Sequence, residues 1–102
     1  MAAEATDTTR RIVAMREEHR ALVTGNLGRA TGRALTVLEG LYFRPIVNVN
    51  TVAQIASLSF ARANALVGEL ERLGLLREMT GRRRNRVFSY EPYMSLFSED
   101  SR

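Results

Sequence analysis

Apolar residues in the first part of the chain recur every three or four positions, the spacing that places side chains on one face of a helix. Residues 7–24 are predicted to form such a helix, with Asp7 or Thr8 as its N-cap and Gly25-Asn26 as its stop. Its apolar stripe consists of Ile12, Met15, His19 and Leu22. This stripe needs a partner, which is the rest of the chain, a second copy or a preceding domain.

A second helix with one apolar face is predicted over about residues 30–43, after a linker-like stretch from Gly25 to Arg33. Its expected inward residues are Ala34, Leu35, Leu38, Leu41 and Tyr42. Arg44-Pro45 ends the helix because proline disfavours a helical conformation in the residue before it. The next apolar residues predict a short extended piece, formed by Ile46, Val47 and Val49.

Residues 50–73 are predicted to form two helices separated by a tight turn at Leu58-Ser59. The first covers about 51–57, with Asn50 or Thr51 as its N-cap. Its expected inward residues are Val52, Ile55 and Ala56. The second covers 60–73, begins after Ser59 as N-cap and ends at Gly74, which suits a left-handed C-terminal position. Its expected inner face consists of Phe60, Ala63, Leu66, Val67, Leu70 and Leu73.

After Gly74 the spacing of hydrophobic residues changes from three or four positions to two, which predicts a β-hairpin. Residues 75–80 and 86–90 are the expected strands, and residues 81–85 are the expected tip. A final helical turn or two is predicted over residues 91–97. Its side chains are expected to dock back onto the domain through Tyr93, Met94, Leu96 and Phe97.

This order of elements predicts a mainly α fold with a small β-hairpin, a winged helix-turn-helix. We expect residues 1–28 to be a linker helix that precedes this domain. Residues 29–98 are the expected winged-helix domain, and residues 99–102 are a tail. A glycine often occupies the turn of a helix-turn-helix, where a positive φ is needed, but Ala56-Ser57-Leu58 stands there in this chain.

Positive charge is concentrated in the predicted hairpin. The chain has 102 residues and a net charge of +4, and all 15 of its basic residues are arginine. Residues 74–90 contain five arginines and one glutamate, whereas the charges of residues 1–24 cancel. Arginine makes forked contacts with phosphate oxygens, so this hairpin favours contact with a polyanion.

In a helix-turn-helix, the second helix can enter the major groove of DNA while a hairpin lies along phosphates. The predicted nucleic-acid-binding residues are Ser59, Ala61, Arg62, Asn64, Ala65, Gly68, Arg72, Arg82, Arg83, Arg84 and Arg86. An arginine such as Arg62 can fork onto guanine, and an exposed asparagine can read adenine. Glu69 and Glu71 oppose phosphate, so a plain solvated helix face is the alternative interpretation.

Few residues have the spacing of catalytic or metal-binding motifs. The absence of cysteine excludes disulfides and Cys-ligated zinc. The one histidine, His19, lies on the apolar stripe, so we predict a core or interface residue instead of a catalytic one. No apolar run reaches the ~18 residues of a membrane helix. We therefore expect no enzyme activity, no cofactor, no metal and no membrane contact, and a cytoplasmic location.

Several segments between Ala34 and Phe97, about two-thirds of the chain, match one family pattern. The matching pieces are Leu38-Glu39, Pro45-Ile46-Val47, Val52-Ala53, Ser59-Phe60, Ala63 to Val67, Leu70, Leu73 to Leu76, and the most specific phrase, TGRRRNRVFSYEPY over residues 80–93. This region resembles the C-terminal winged-helix domain of Fic (filamentation induced by cAMP) family proteins. The first helix resembles the segment that links the catalytic Fic domain to this one.

Fic proteins transfer a nucleotide monophosphate, usually AMP, from ATP to a target hydroxyl. Their signature is a His-Pro-Phe opening followed by a Gly-Asn-Gly-Arg loop. Here Gly25-Asn26-Leu27-Gly28-Arg29 echoes that loop, but Leu27 interrupts it and no Pro-Phe follows His19. The resemblance therefore implies a regulatory domain of a bacterial-type Fic protein without the AMP-transfer core, and no catalytic residue is carried over.

Three functions fit these predictions. The first is DNA binding in transcription regulation, through helix 60–73 and the arginine hairpin. The second is a protein-interaction module that positions a Fic domain or forms a homodimer through the first helix or the aromatic tail near Tyr93. The third is a stand-alone small regulator whose dimer meets half-sites about one helical turn apart.

Overall fold

The fold is mainly helical with a small antiparallel sheet, as expected for a winged helix. The computed structural model describes residues 2–82 and 84–100. In chain order the elements are α1 (Ala2–Asn26), a 3-10 turn (Gly28–Ala30), α2 (Thr31–Leu41), β1 (Ile46–Asn48), α3 (Val49–Ala56), α4 (Phe60–Arg72), β2 (Arg77–Glu78), β3 (Val87–Ser89) and α5 (Glu91–Asp100). Within these residues, no helix is both long enough and apolar enough to cross a membrane.

Helix α1 is longer than the predicted 7–24. It begins at Ala2, so Asp7 and Thr8 lie inside the helix and neither caps its start. At the other end, Gly25-Asn26 belongs to the last turn, and the Asn26 side chain donates to the Leu22 carbonyl at 2.7 Å. Alanine and glutamate in the first turns favour helix, which explains the extension beyond the apolar stripe.

The predicted linker from Gly25 to Arg33 is instead a close connection between two packed helices. Only Leu27 separates α1 from the 3-10 turn, and the Leu27 side chain is buried in the core. Gly28 provides the reversal with φ of +51°. Burial of Leu27 stabilises a tight corner where the sequence predicts a linker.

The apolar stripe of α1 is covered by the domain itself, since α1 packs against α2 and α5. Met15 and His19 are buried as the spacing predicts, and Val23, which the predicted stripe omits, is fully buried. Outside this contact, Arg16 donates twice to the Glu39 carboxylate, at 2.9 and 3.0 Å. The first helix is thus anchored by both apolar burial and an ion pair.

A buried polar cluster joins α1, α2 and the end of the sheet around Tyr90. The Tyr90 side chain is fully buried, and its hydroxyl lies 2.5 Å from Nδ1 of His19 and 3.3 Å from the hydroxyl of Tyr42. The Tyr93 ring stacks on Tyr90 with centroids 5.6 Å apart. Burial raises the pKa of the Tyr90 phenol and lowers the pKa of His19, the latter against an opposing effect of Glu18.

The helix-turn-helix pair α3–α4 follows directly from β1. The N-cap of α3 is Asn48, whose side chain accepts from the Thr51 amide at 2.8 Å, so the predicted caps Asn50 and Thr51 are wrong by two or three residues. Asn50 and Thr51 both lie inside the helix. The helix begins earlier because the Asn48 side chain satisfies a free amide of its first turn. The predicted cap of α4 is confirmed, since Ser59 Oγ accepts from the Arg62 amide at 3.2 Å.

Position 57 supplies the positive φ of the turn without a glycine. Ser57 has φ of 54° and ψ of 51°, in the left-handed region. Three residues later, the predicted inward position of Phe60 is wrong, because its side chain is 58% exposed. The remaining inner face of α4 is buried through Ala63, Leu66, Val67 and Leu70.

The sheet has three strands in the order β1-β3-β2, all antiparallel. Strand β2 is only two residues long, because Leu75 and Leu76 are buried in the core before it begins. The sequence predicts a two-stranded hairpin and a separate extended piece, but β1 pairs with β3, with Val47 opposite Phe88.

The final helix α5 is longer than the predicted turn or two. Of the predicted tail, residues 101–102 lie outside the described residues.

Replacement of Ser57 by glycine is expected to raise the free energy of unfolding by about 0.5–1 kcal/mol. A left-handed φ costs an L-residue ~1–2 kcal/mol, which glycine avoids, although its greater freedom in the unfolded chain offsets part of the gain. The reciprocal control is Gly74→Ala, at φ of +80°, which is expected to lower the free energy of unfolding by about 1 kcal/mol. Urea denaturation measures both, and a less stable Ser57→Gly variant would contradict this turn geometry.

The stability of the domain is expected to fall as the pH drops through about 6.5. Because burial lowers the pKa of His19 in the folded state, the unfolded chain binds the proton more tightly in the window between the two pKa values. The stabilising contribution is therefore complete above pH 6.5 and is lost below it. Denaturation at several pH values measures this, with His19→Gln as the comparison; the same pH dependence in both proteins between pH 7.5 and 5.5 would contradict the prediction.

Candidate nucleic-acid interface

One face of α4 is open to solvent along the whole helix. Each predicted binding residue on this helix or at its cap is exposed: Ser59, Ala61, Arg62, Asn64, Ala65, Gly68 and Arg72. Opposite the buried residues, the centre of the open face is formed by Ala61, Ala65 and Gly68, by helical periodicity. These small side chains leave a low ridge on which another surface can approach the backbone closely.

The first flank of α4 faces the β-hairpin across a cleft of about 400 Å³, which we call the wing cleft. Its lining residues are Asn48, Val49, Asn50, Phe60, Asn64, Arg84, Asn85 and Arg86. Three elements contribute to it: the start of α3, the first turns of α4 and the tip of the hairpin. The wing cleft is therefore lined by amides, guanidinium groups, one valine and one aromatic ring.

The second flank faces the start of α2 across a cleft of about 470 Å³, the α2 cleft. Its lining residues are Arg29, Ala30, Arg33, Leu58, Arg62, Ala65, Leu66 and Glu69. The guanidinium of Arg33 donates to the Ala56 carbonyl at 2.6 Å, which satisfies a free carbonyl at the C-terminus of α3. Three arginines thus line the side of α4 that faces away from the hairpin.

The hairpin tip is organised by Glu78. Its Oε2 accepts from the Thr80 hydroxyl at 3.0 Å and from the Arg82 amide at 3.2 Å. Positive φ values at Gly81 and Asn85 close the turn. This carboxylate also offsets part of the charge repulsion among the arginines, so the tip adopts a defined shape.

The arginines of the tip differ in exposure. Arg82 and Arg84 are exposed, and the Arg82 guanidinium donates to the Asn85 carbonyl at 3.0 Å. Arg83 lies outside the described residues. Arg86 points back toward the domain and is only partly exposed.

Arg86 joins the wing to α4. Its guanidinium donates to Oδ1 of Asn64 at 3.0 Å, lies 3.8 Å from a Glu78 oxygen and sits 5.1 Å from the centre of the Phe88 ring. The sequence predicts that Arg86 contacts phosphate, but its guanidinium already makes these contacts within the domain. Arg86 instead sets the distance between the hairpin and the helix.

The acidic residues of α4 have different effects on this surface. Glu69 forms an ion pair with Arg72 one turn away. The pair neutralises both the carboxylate and the guanidinium that was predicted to contact nucleic acid. Glu71 is exposed and opposes phosphate, as the sequence indicates. The local positive charge therefore comes from the flanks of α4 more than from its centre.

Arg29, Arg33 and Phe60 belong to the site although the sequence prediction left them out. The two arginines lie in the stretch read as a linker, and only the packing of α2 brings them beside α4. Phe60 fits an inward position by helical period, so no local sequence pattern indicates its exposure. The positive charge of Arg29 and Arg33, which follow Leu27 closely, is the only feature of the sequence that could have indicated their place in the site.

Comparisons with known proteins add no assignment. No protein-family model matches the chain, and no curated protein matches it significantly. Among the described residues, no group of three or more acidic or histidine side chains is placed to hold a metal ion.

The hydrogen bond between Arg86 and Asn64 is expected to contribute about 0.5 kcal/mol to stability, because both side chains remain partly in water. A double-mutant cycle of Arg86→Ala and Asn64→Ala, measured by urea denaturation, gives this coupling energy. The matched control is Arg84→Ala, which is expected to change stability by less than about 0.5 kcal/mol. Zero coupling in the cycle would contradict the bridging role of Arg86.

Proposed function

We propose that this domain binds double-stranded DNA, with α4 in the major groove and arginines on both of its flanks against the two phosphate backbones. The observation that carries the proposal is this two-sided arrangement. An exposed helix with a low central ridge lies between the wing cleft, bordered by Arg84, and the α2 cleft, bordered by Arg29 and Arg62.

The dimensions of DNA favour this mode of binding. The major groove is about 12 Å wide, close to the ~10–12 Å diameter of a helix with its side chains. Small residues at Ala61, Ala65 and Gly68 reduce the width of α4 on the side that would enter the groove. Phosphates border the groove on both edges, where guanidinium groups on both flanks of the helix would meet them.

The charge distribution sets the expected strength and salt dependence of binding. The exposed arginines of the two clefts and the hairpin tip are Arg29, Arg62, Arg82 and Arg84, besides Arg33, which donates to the Ala56 carbonyl. If each of the first four neutralises one phosphate, the logarithm of the affinity falls with the logarithm of salt concentration with a slope of roughly −3 to −4. Contacts of this type provide affinity and register, while sequence preference depends on side chains at base edges.

The resemblance to Fic proteins extends this proposal to a biological setting. We propose that the domain is a regulatory winged helix of a cytoplasmic, Fic-type protein and that it acts by binding, without catalysis of its own. The support is the resemblance over residues 34–97, above all TGRRRNRVFSYEPY, together with the hairpin whose tip and second strand this phrase supplies. DNA binding would then direct the protein to a promoter.

Docking to a protein is the second candidate function, and the surface near the end of α5 favours it. The Phe97 side chain is 42% exposed there, and Val13 on α1 is 52% exposed. A second copy or a neighbouring domain would cover such side chains. Sedimentation equilibrium distinguishes this candidate, because a dimer that is lost in Phe97→Ala would place the interface on α5.

The DNA-binding proposal predicts salt-sensitive affinity that depends on both flanks of α4. In fluorescence-anisotropy titrations with a labelled duplex, Arg84→Ala and Arg29→Ala are each expected to weaken binding and to reduce the salt slope by about 1. The control is Arg10→Ala. Arg10 is exposed on α1, a helix that packs against α2 and α5 and forms no part of the proposed interface. No binding at low salt, or equal losses in all three variants, would contradict the proposed interface.

A further inference from the structure

Phe60 is exposed at a position where a winged helix contacts base edges. It is the first residue of α4, and its side chain is 58% exposed beside the wing cleft. The N-terminal residues of a recognition helix are those that reach the bases. Covering an exposed aromatic ring with an apolar group lowers the free energy, because apolar surface is removed from water. The ring therefore favours contact with an apolar group in the groove.

The amide of Asn64, one turn further along α4, has a defined orientation. Its Oδ1 accepts from the Arg86 guanidinium at 3.0 Å. Because arginine can only donate hydrogen bonds, the oxygen of the amide must face Arg86 and the nitrogen must face elsewhere. Asn64 therefore offers its NH₂ group, a donor, to a ligand in the cleft.

Several other polar groups of the wing cleft are donors or have an occupied oxygen, although the side chains of Asn50 and Asn85, which also line it, each carry both a donor and an acceptor. The Asn48 oxygen is occupied by the Thr51 amide and hydroxyl, at 2.8 and 3.0 Å. Arg84 and Arg86 contribute guanidinium groups, which donate only. A base edge that suits this cleft has an acceptor and an apolar group side by side.

Thymine is the base whose major-groove edge has both features, an O4 acceptor and a C5-methyl group. Guanine presents acceptors without a methyl group, and cytosine presents an amino donor that would face other donors. Adenine needs an acceptor for its amino group as well as a donor for N7. Since the Asn64 oxygen is engaged by Arg86, the expected pairing of this asparagine with adenine is disfavoured.

We propose that the wing cleft reads a thymine, with the C5-methyl group against the Phe60 ring and O4 accepting from Nδ2 of Asn64. This inference rests on the proposed binding of duplex DNA and assigns a base preference to that same surface. Arg86 acts as a positioning residue because it holds the Asn64 amide in the orientation that O4 requires.

The test compares an alternating dA·dT duplex with the same duplex in which deoxyuridine replaces thymidine, which removes only the methyl group. The domain is expected to bind the uracil duplex about fourfold more weakly, the effect of one lost buried methyl group. Phe60→Ala is expected to bind the thymine duplex more weakly and to bind both duplexes equally. The matched control is Phe43→Ala, whose side chain is 87% exposed in the connection between α2 and β1, and this variant should keep the preference.

Circular dichroism and thermal melting verify that each variant is folded, which exposed positions should allow. Salt-dependent binding with equal affinity for the two duplexes would overturn the thymine assignment and leave the DNA-binding proposal intact. A preference that persists in Phe60→Ala would also overturn it, because the ring would not be the methyl contact. Failure to bind any duplex at low salt would overturn both proposals together.

Discussion

The antiparallel pairing of β1 with β3 is the constraint on which the candidate interface depends. The ladder places Val47 opposite Phe88 and Asn48 opposite Val87, and the Tyr90 amide extends it by donating to the Pro45 carbonyl at 2.7 Å. Strand β1 runs straight into α3, because Asn48 both ends the strand and caps the helix. The hairpin is therefore held at a fixed position relative to α3 and α4, and the wing cleft exists only because of this pairing.

The arginines divide into two groups with different physical roles. Arg16, Arg33 and Arg86 donate to groups within the domain: the Glu39 carboxylate, the Ala56 carbonyl and the Asn64 amide. Those contacts join elements far apart in sequence. Arg62 and Arg84 remain exposed on opposite flanks of α4, so they supply the positive charge that a polyanion would meet. A net charge alone does not separate these roles.

The fold class could be predicted from the sequence because periodicity and end signals act locally. Ser59 caps α4 and Gly74 has a positive φ, both as expected from short-range preferences. The errors arise where tertiary contacts decide. Leu27 is buried in a stretch that resembles a linker, and Asn48 caps α3 although two later residues have suitable side chains.

The candidate site was predictable in outline for the same reason, and its details were not. Helical period separates the outward residues of α4 from the buried ones, but it assigns Phe60 to the wrong face because the first turn of α4 extends beyond the core. The contact of Arg86 with Asn64 spans 22 positions in sequence, so no local pattern reveals it. Long-range packing also brings Arg29 beside α4.

A residue-resolved titration with duplex DNA tests the central claim most directly. In ¹⁵N-labelled protein, the account predicts amide chemical-shift changes along residues 59–72, at the tip near Arg84 and at the start of α2 near Arg29, at low salt and reversed by high salt. Shift changes concentrated on α1 and α5, with α4 unaffected, would contradict it.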